Sequence, residues 1–152
     1  MKKVLIALDY NPSAEKVAET GYAIARAMEA QVNIAHVITE AAWYAMDYSP
    51  IMGYQGGYTA GTNEVMQDIK KEAENFLTAT ANHLGDKTII TTILDGNTTD
   101  AIIKHSIEWD ADLIVLGSHS PHSLDRLFGT DVANYIVKHS TIPVLVVPTN
   151  NK

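Results

Sequence analysis

The chain has 152 residues, of which 46% are hydrophobic and 19% are charged, a composition typical of one soluble globular domain. Its formal net charge of -7 argues against nonspecific binding to nucleic acid or to anionic membranes, because both need clustered lysines and arginines. The absence of cysteine excludes disulfides, thiol catalysis and cysteine-ligated zinc.

The N-terminus carries an apolar run over residues 3–8 that is too short for a signal peptide, because Asp9 interrupts it. No stretch of the sequence approaches the ~20 apolar residues of a membrane span. We therefore expect a cytoplasmic protein, in which the run 3–8 forms a strand that is covered on both faces of a parallel sheet.

Helix and strand patterns alternate after this strand. Asn11-Pro12 is a helix start signal, and Val17 and Gly21 recur at helical spacing behind it, which predicts an amphipathic helix over residues 12–29. The further predicted elements are a strand at 31–38, a helix at 63–83, a strand at 87–94, a helix capped near Asn97 or Thr98 and ending near Trp109, a strand at 112–116, a helix at 129–139 and a strand at 143–148. This order predicts an α/β fold: a three-layer, doubly wound, five-stranded parallel sheet in a single domain, residues 1–152.

Residues 39–62 match neither pattern, and we predict a long loop there. The segment includes Trp43 and several tyrosines and glycines, with hardly any charge. A loop of this length inside a compact domain is unusual and is commonly functional. It is either a disordered, flexible excursion or a lid or partner-binding flap, and the composition leaves both readings open.

The expected ligand position follows from the fold class, because doubly wound sheets bind ligands beyond the carboxyl ends of their strands. The residues that follow or end the predicted strands are Asp9, Val37, Gly96 and Gly117. The Asp9 carboxylate could accept hydrogen bonds from a ribose hydroxyl or an adenine amino group. Alternatively, it is an acidic group favoured by the dipole of the following helix.

The segment from Gly117 to Thr130 has the order expected of an anion site. A buried strand ends at Gly117, a polar loop follows, and Gly129-Thr130 opens the last predicted helix, whose first amides lack intrahelical partners. Gly117 lets a ligand approach the backbone, and the Thr130 hydroxyl either contacts a phosphate oxygen or caps the helix. We therefore predict a nucleotide-phosphate site in this segment.

Other chemistries fit this segment less well. It contains neither the Gly-Lys-Ser/Thr of a P-loop nor the Gly-x-Gly-x-x-Gly of dinucleotide-binding proteins. His119, His122 and Asp125 have a spacing that a metal could use, but loop histidines are more often exposed to solvent. Its serines lack the Gly-x-Ser-x-Gly elbow and a positioned base, which argues against a serine hydrolase.

The sequence resembles the universal stress protein family over essentially its full length. The resemblance runs from Val4-Leu5-Ile6-Ala7-Leu8-Asp9 to Pro143-Val144-Leu145-Val146-Val147, and its most specific part is residues 112–119 together with Gly129-Thr130. The ATP-binding branch of that family carries Gly-x2-Gly-x9-Gly-Ser/Thr between the fourth strand and the last helix. Gly117 matches the first glycine and Gly129-Thr130 the final pair, whereas Ser120 replaces the second glycine and the spacer is one residue shorter.

This resemblance implies an adenine nucleotide, ATP or a relative of it, as the ligand. The residues that it assigns to the ligand are Asp9 and the backbone around Val37 for adenine and ribose, Gly117, His119 and Ser120 for ribose or phosphate, and Gly129, Thr130 and Asp131 for phosphate. Asp131 stands where the family usually places a neutral residue. A carboxylate beside phosphates calls for a divalent cation such as Mg²⁺ between them.

The resemblance also implies a homodimer formed through the apolar final strand, Val144–Val147. It implies a binding or signalling module with at most slow ATP hydrolysis, and the sequence offers no positioned general base or activated nucleophile. Two alternatives stay open. One is a nucleotide-free, dimeric interaction protein of the same fold, which Ser120 and the shortened spacer favour; the other is a relative of electron-transfer flavoproteins or nucleotidyl transferases.

Overall fold

The computed structural model describes residues 2–10, 12–39, 58–118 and 131–149, and of residues 58–63 it describes the backbone alone. The strands in these ranges are β1 (Lys3–Leu8), β2 (Gln31–Ile38), β3 (Ile90–Asp95), β4 (Leu113–Gly117) and β5 (Val144–Val147). The helices in these ranges are α1 (Ala14–Ala27), α2 (Tyr58–Leu84), α3 (Thr98–Glu108) and α4 (Val132–His139). The alternation of strands and helices confirms the predicted α/β class.

All strand pairs are parallel, and the five strands form one sheet in the order β3-β2-β1-β4-β5. The central strand is β1, whose Leu5 pairs with Asn33 of β2 on one side and with Ile114 of β4 on the other. The chain therefore winds outward through β2 and β3, returns across the sheet, and winds outward again through β4 and β5. This reversal confirms the doubly wound topology and places its switch point between β1 and β4.

Two apolar cores cover the two faces of the sheet, which explains the nearly continuous apolar run of β1. On one face Val4 and Ile6 pack with α1 and α2, whose buried residues include Val17 and Leu77. On the other face Leu5 packs with residues of α3 and α4. A side chain of this size contributes roughly 1.5–3 kcal/mol when it is fully buried. The result is the predicted three-layer arrangement, with two helices on each face.

The start of α2 differs from the prediction. The helix begins at Tyr58, so Asn63 lies inside it and not at its cap, and the last residues of the predicted loop 39–62 are helical. A capping asparagine adds only ~1 kcal/mol, and a single glycine such as Gly61 costs about the same in a helix. A cap preference of this size does not stop a helix. The prediction for the preceding part of the loop falls on residues 40–57, outside the described ranges.

The start of β3 also differs, because a turn occupies residues predicted to be extended. The Asp86 carboxylate accepts hydrogen bonds from the Thr88 N–H at 2.8 Å and from the Thr88 hydroxyl at 2.6 Å. This local bonding competes with strand pairing. The strand begins at Ile90. In the first helix, similarly, regular structure begins at Ala14, after Ser13, and not at Pro12.

The last helix starts later than predicted, at Val132 instead of residue 129. Its N-cap is Asp131, whose carboxylate accepts a hydrogen bond from the Asn134 N–H at 3.1 Å. A cap residue has non-helical backbone angles, and Asp131 has φ -86° and ψ 98°. The prediction that Thr130 caps this helix is therefore wrong. Within the described residues, no helix is long and apolar enough to cross a membrane.

Candidate functional site

The candidate site is the carboxyl edge of the sheet at the switch point between β1 and β4. The ladder between β1 and β4 ends at the pair Ile6 and Val115, although β1 continues to Leu8 and β4 to Gly117, so the two strands separate at their carboxyl ends. Asp9 follows immediately after β1 and is exposed. The structure thus brings together, on adjacent strands, two of the residues that the sequence assigns to a ligand. In doubly wound sheets, ligands bind beyond strand ends at such a switch point.

The reason for glycine at position 117 is close packing. A Cβ placed there would lie 2.9 Å from Cγ2 of Thr149 and 3.0 Å from Cγ2 of Val17. Both neighbours are β-branched and hold their methyl groups in few rotamers. Gly117 therefore lets α1 and the residues after β5 approach the end of β4. This packing explains Gly117 without a ligand, and the predicted role of Gly117, an open approach for a ligand, stays a prediction.

Directly after Gly117, three hydrogen bonds made by Ser118 join the ends of β4 and β5. The Ser118 N–H donates to the Val147 carbonyl at 2.8 Å. The Thr149 N–H donates to Oγ of Ser118 at 2.9 Å, and the Thr149 hydroxyl donates to the Ser118 carbonyl at 2.6 Å. Thr149 is only 8% exposed. These bonds fix where the chain leaves β4 and enters the predicted phosphate loop.

Val37 and Gly96 behave differently at this edge. The Val37 side chain is buried in the core on the α3 and α4 side of the sheet, so the backbone contact that the resemblance implies for Val37 stays a prediction. Gly96 has φ +106°, and its N–H donates to the Ile38 carbonyl at 3.1 Å. That backbone conformation favours glycine, which gives Gly96 a structural reason to be present.

Three rings beside Asp9 form a cluster that the sequence reading did not single out. His36, near the end of β2, is 7% exposed, and its Nδ1 lies 2.8 Å from the Leu8 carbonyl. Since a carbonyl only accepts, Nδ1 carries the proton and donates it. The centroid of the His36 ring lies 4.3 Å from that of Tyr10 and 5.8 Å from that of Phe76. The available signal was a histidine between the apolar residues Ala35 and Val37 of a predicted buried strand.

Burial shifts the pKa values of His36 and Tyr10 in this cluster. It lowers the pKa of His36 below the ordinary 6.5, although the hydrogen bond to Leu8 and the nearby Asp9 act in the opposite direction. Burial also raises the pKa of the Tyr10 hydroxyl, and Glu72 adds to that effect. Both rings are therefore uncharged at neutral pH, which suits their packing against Phe76.

Asp131 already occupies the helix end that the sequence assigns to phosphate. Its carboxylate caps α4, and it lies in a groove that runs from the N-terminal end of α3 along α4 and is also lined by Asn97, Asp100, Lys138 and His139. Asn97 caps α3 in the same way, by accepting from the Asp100 N–H at 3.1 Å. A phosphate at the start of α4 would be repelled by the Asp131 carboxylate, which already accepts a hydrogen bond from one of the helix amides.

The predicted ligand residues thus divide into two groups. The structure places Asp9, Val37, Gly117 and Asp131, all next to the ends of strands or helices at one edge of the sheet. The other predicted residues, His119, Ser120, Gly129 and Thr130, lie outside the described residues, as do His122 and Asp125. Within the described ranges, Glu15, Glu19 and His83 form a group with metal-ligand spacing, but all three are exposed and they lie on α1 and α2.

The architecture is that of a Rossmann-like α/β protein with its ligand position at a topological switch point. The chain belongs to the universal stress protein family, whose model matches residues 1–148. Universal stress protein A homolog 1 of Coxiella burnetii is 29% identical over 147 residues, which cover 96% of this chain and 95% of that protein.

Solved structures agree with this assignment. The structure of MJ0577, a universal stress protein of Methanocaldococcus jannaschii, superposes with a TM-score of 0.75 at 25% identity and covers 99% of this chain and 98% of that one. The universal stress protein from Archaeoglobus fulgidus in complex with dAMP superposes with a TM-score of 0.60 at 18% identity, covering 96% of this chain and 97% of that one. The second similarity shows the shared fold.

Proposed function

We propose that this protein binds an adenine nucleotide, ATP or a close relative, as a regulatory module of the stress response. The observation that carries the proposal is that Asp9 and Gly117 stand at the carboxyl ends of two adjacent parallel strands, β1 and β4, at the switch point of a universal stress protein sheet. The dAMP complex of the Archaeoglobus fulgidus protein supports it, because that protein holds an adenine nucleotide on the same fold.

The base and ribose end of the site fits such a ligand. The exposed Asp9 carboxylate offers acceptors for ribose hydroxyls or the adenine amino group. Because the Val37 side chain is buried, we propose that Val37 contacts the base through its backbone. The phosphate end consists of His119, Ser120, Gly129 and Thr130, with Asp131 at its border. With nucleotide bound, Asp131 would be the residue that holds Mg²⁺, and the ion would supply positive charge that offsets the repulsion between this carboxylate and the phosphates.

The role is binding and signalling, with hydrolysis at most slow. Among the described residues at this edge, the histidine packed beside Asp9 is His36, whose Nδ1–H donates to the Leu8 carbonyl and whose ring, only 7% exposed, is largely withdrawn from solvent. A general base for water would need a free, solvent-facing acceptor within hydrogen-bond reach of the phosphate.

Calorimetry with ATP, with and without Mg²⁺, tests the proposal. We expect a saturable heat, and a rise in melting temperature with nucleotide, because a ligand that binds only the folded state stabilises it. Asp9→Ala should weaken the affinity at least several-fold, whereas Asp112→Ala, at the opposite edge of the sheet, should leave it unchanged. An absence of heat and of thermal shift at millimolar ATP would rule the proposal out.

A second candidate is a nucleotide-free, dimeric interaction protein, and two observations favour it. The Asp131 carboxylate occupies the start of α4, and Gly117 is explained by packing against Thr149 and Val17 without any ligand. Mass spectrometry of the gently purified protein separates the candidates, because a co-purifying adenine nucleotide is expected only for the first. In either case we propose a homodimer formed through β5, which lies at the edge of the sheet.

A further inference from the structure

We propose that His36 is the positioning residue for Asp9: one buried imidazole holds the backbone before Asp9 and the ring after it. The inference deepens the proposed function and rests on it, since Asp9 is the residue assigned to the base and ribose. His36 lies on β2, 27 positions further along the chain, and reaches Asp9 only because β1 and β2 are adjacent.

The first contact fixes the backbone that precedes Asp9. His36 Nδ1–H donates to the Leu8 carbonyl at 2.8 Å. A trans peptide holds its C=O and the following N–H in one plane and in opposite directions. The bond therefore orients the Asp9 N–H as well, away from His36, and limits rotation of the peptide that leads into the Asp9 side chain.

The second contact fixes the residue that follows Asp9. The Tyr10 ring packs on the His36 ring with centroids 4.3 Å apart, and on the Phe76 ring with centroids 5.0 Å apart in an edge-to-face arrangement. Tyr10 is nevertheless 52% exposed, so the contact ties down a residue that solvent would otherwise leave mobile. Ring pairs of this kind contribute roughly 0.5–1.5 kcal/mol beyond the area that they bury.

The His36 ring is itself held in place, so it can act as a support. It is 7% exposed, and Phe76 of α2 packs against it. Burial keeps it neutral at pH 7, and the Leu8 carbonyl selects the tautomer that carries the proton on Nδ1. An exposed carboxylate on a loop gains affinity for a ligand when its position is fixed in advance, because the ordering cost is then not incurred on binding.

Two variants at position 36 separate the hydrogen bond from general packing. His36→Asn keeps an N–H donor where Nδ1 lies, whereas His36→Leu keeps an apolar side chain and removes the donor. His105→Leu is the matched control, because His105 is also a partly buried, hydrogen-bonded histidine but contacts Asn33 near the start of β2, at the opposite end of the strand.

The first measurement needs no nucleotide. In ¹⁵N-resolved NMR spectra, the Asp9 amide resonance should shift in His36→Leu, stay close to the wild-type position in His36→Asn, and stay unchanged in His105→Leu. An Asp9 resonance that is the same in all four proteins would overturn the inference, whatever the protein binds. Tyr10→Ala, at a half-exposed position, provides a further well-folded variant and should also shift it.

The second measurement is the affinity for ATP with Mg²⁺, by calorimetry. We expect His36→Leu to weaken binding about tenfold, which is the change in affinity that corresponds to the loss of about one hydrogen bond. His36→Asn should recover most of this affinity. His105→Leu should lower stability and leave the affinity unchanged. In a double-mutant cycle, Asp9→Ala with His36→Leu should bind no more weakly than Asp9→Ala alone, because His36 acts through Asp9.

The outcomes distinguish this inference from the proposed function. If the wild-type protein binds no nucleotide, the proposed function fails, and the Asp9 resonance alone decides whether His36 positions Asp9. If the wild-type protein binds ATP and His36→Leu binds it equally well, the inference fails and the proposed function stands. Losses from Asp9→Ala and His36→Leu that add independently would also contradict it.

Discussion

At the scale of single residues, hydrogen bonds link Thr92 and Asn33 of the sheet to His105 of α3, and this arrangement requires His105 to be neutral. The Thr92 hydroxyl donates to Oδ1 of Asn33 at 3.0 Å, and Nδ2 of Asn33 lies 3.1 Å from Nε2 of His105. The amide nitrogen donates, so Nε2 must accept, and His105 is neutral. Burial accordingly lowers the pKa of His105 below the ordinary 6.5, with Glu108 acting in the opposite direction.

The first prediction concerns acid stability. Because the folded pKa of His105 is lowered, its contribution is fully present above pH 6.5 and is lost as the pH falls through the lower, folded value. His105→Gln places an acceptor near the same point and does not titrate. We expect urea midpoints between pH 7 and pH 5 to fall less steeply in this variant than in the wild-type protein.

Comparison with the wild type isolates this histidine. Glu19 and Glu15 raise the pKa of His83, so the contribution of His83 is present below pH 6.5 and is lost as the pH rises through its raised value, the opposite sign. The pH dependence of stability that His83 and His36 contribute is the same in the wild-type protein and in His105→Gln. It therefore cancels when the two proteins are compared. Parallel midpoint curves would show that the hydrogen bond to Asn33 does not govern the protonation of His105.

The second prediction concerns Gly117. Gly117→Ala forces the methyl groups of Thr149 and Val17 apart, and we expect a loss of about 1–3 kcal/mol in the free energy of unfolding. Thr149→Ser removes the closer methyl group and keeps the hydroxyl that bonds to Ser118. The double variant should recover part of the loss in denaturant unfolding. No recovery would mean that the cost arises elsewhere than in this contact.

At the scale of elements, the N-cap of α4 influences how strongly the proposed site attracts or repels a negatively charged ligand. Asp131 caps the helix with a carboxylate, where a neutral cap would leave the same amides more attractive to phosphate. The third prediction is that Asp131→Asn, which keeps an acceptor for the Asn134 N–H, raises the affinity for ATP without Mg²⁺ but leaves the affinity for adenosine unchanged. Calorimetry with both ligands checks it, and equal ATP affinities would place the phosphates away from α4.

The removal of the cap itself should act on stability. Asp131→Ala leaves the Asn134 N–H without its partner, and a lost N-cap costs about 1 kcal/mol. Thermal unfolding of the two variants therefore separates the two roles of Asp131. The alanine variant should melt at a lower temperature, and the asparagine variant close to the wild type.

At the scale of the whole molecule, the exposed edge of the sheet predicts self-association. The strand β5 lies at one edge, and three of its four residues are only partly buried. The fourth prediction is that the protein sediments with twice the mass of one chain, and that Leu145→Lys on β5 shifts it toward the monomer. The control is Ile107→Lys, at a residue of α3 that is 55% exposed, and it should leave the sedimenting mass unchanged. A monomeric wild-type protein would contradict the proposed interface.

Most of the fold could be predicted from the sequence, because a strand buried on both faces and an amphipathic helix each leave a local signature. The apolar run of β1 and the helical spacing of Val17 and Gly21 are examples, and both residues are buried in α1. Boundaries were less predictable. Asn63 lies within α2, and Asp131 caps α4, because cap preferences are weak compared with the packing that extends or shortens a helix.

The site could be predicted only in part. The position of Asp9 and Gly117 at one edge of the sheet could be predicted because the carboxyl ends of parallel strands share that edge, a rule that needs no contact map; their role in binding stays a prediction. The support of Asp9 by His36, and the bond between Asn33 and His105, depend on pairs that are far apart in sequence and meet only in the folded sheet. No local pattern reports such pairs, and a lone polar residue in an apolar strand is the nearest signal.

The switch point between β1 and β4 has a consequence for synthesis on the ribosome. The two strand ends that border the candidate site stem from opposite halves of the chain, so a nascent chain that has produced only the first three strands exposes one whole side of β1. That side is a hydrophobic template for unwanted pairing until β4 emerges. Ligand binding cannot rescue such a fragment, since its site does not yet exist, and chaperones are expected to hold the protein during that interval.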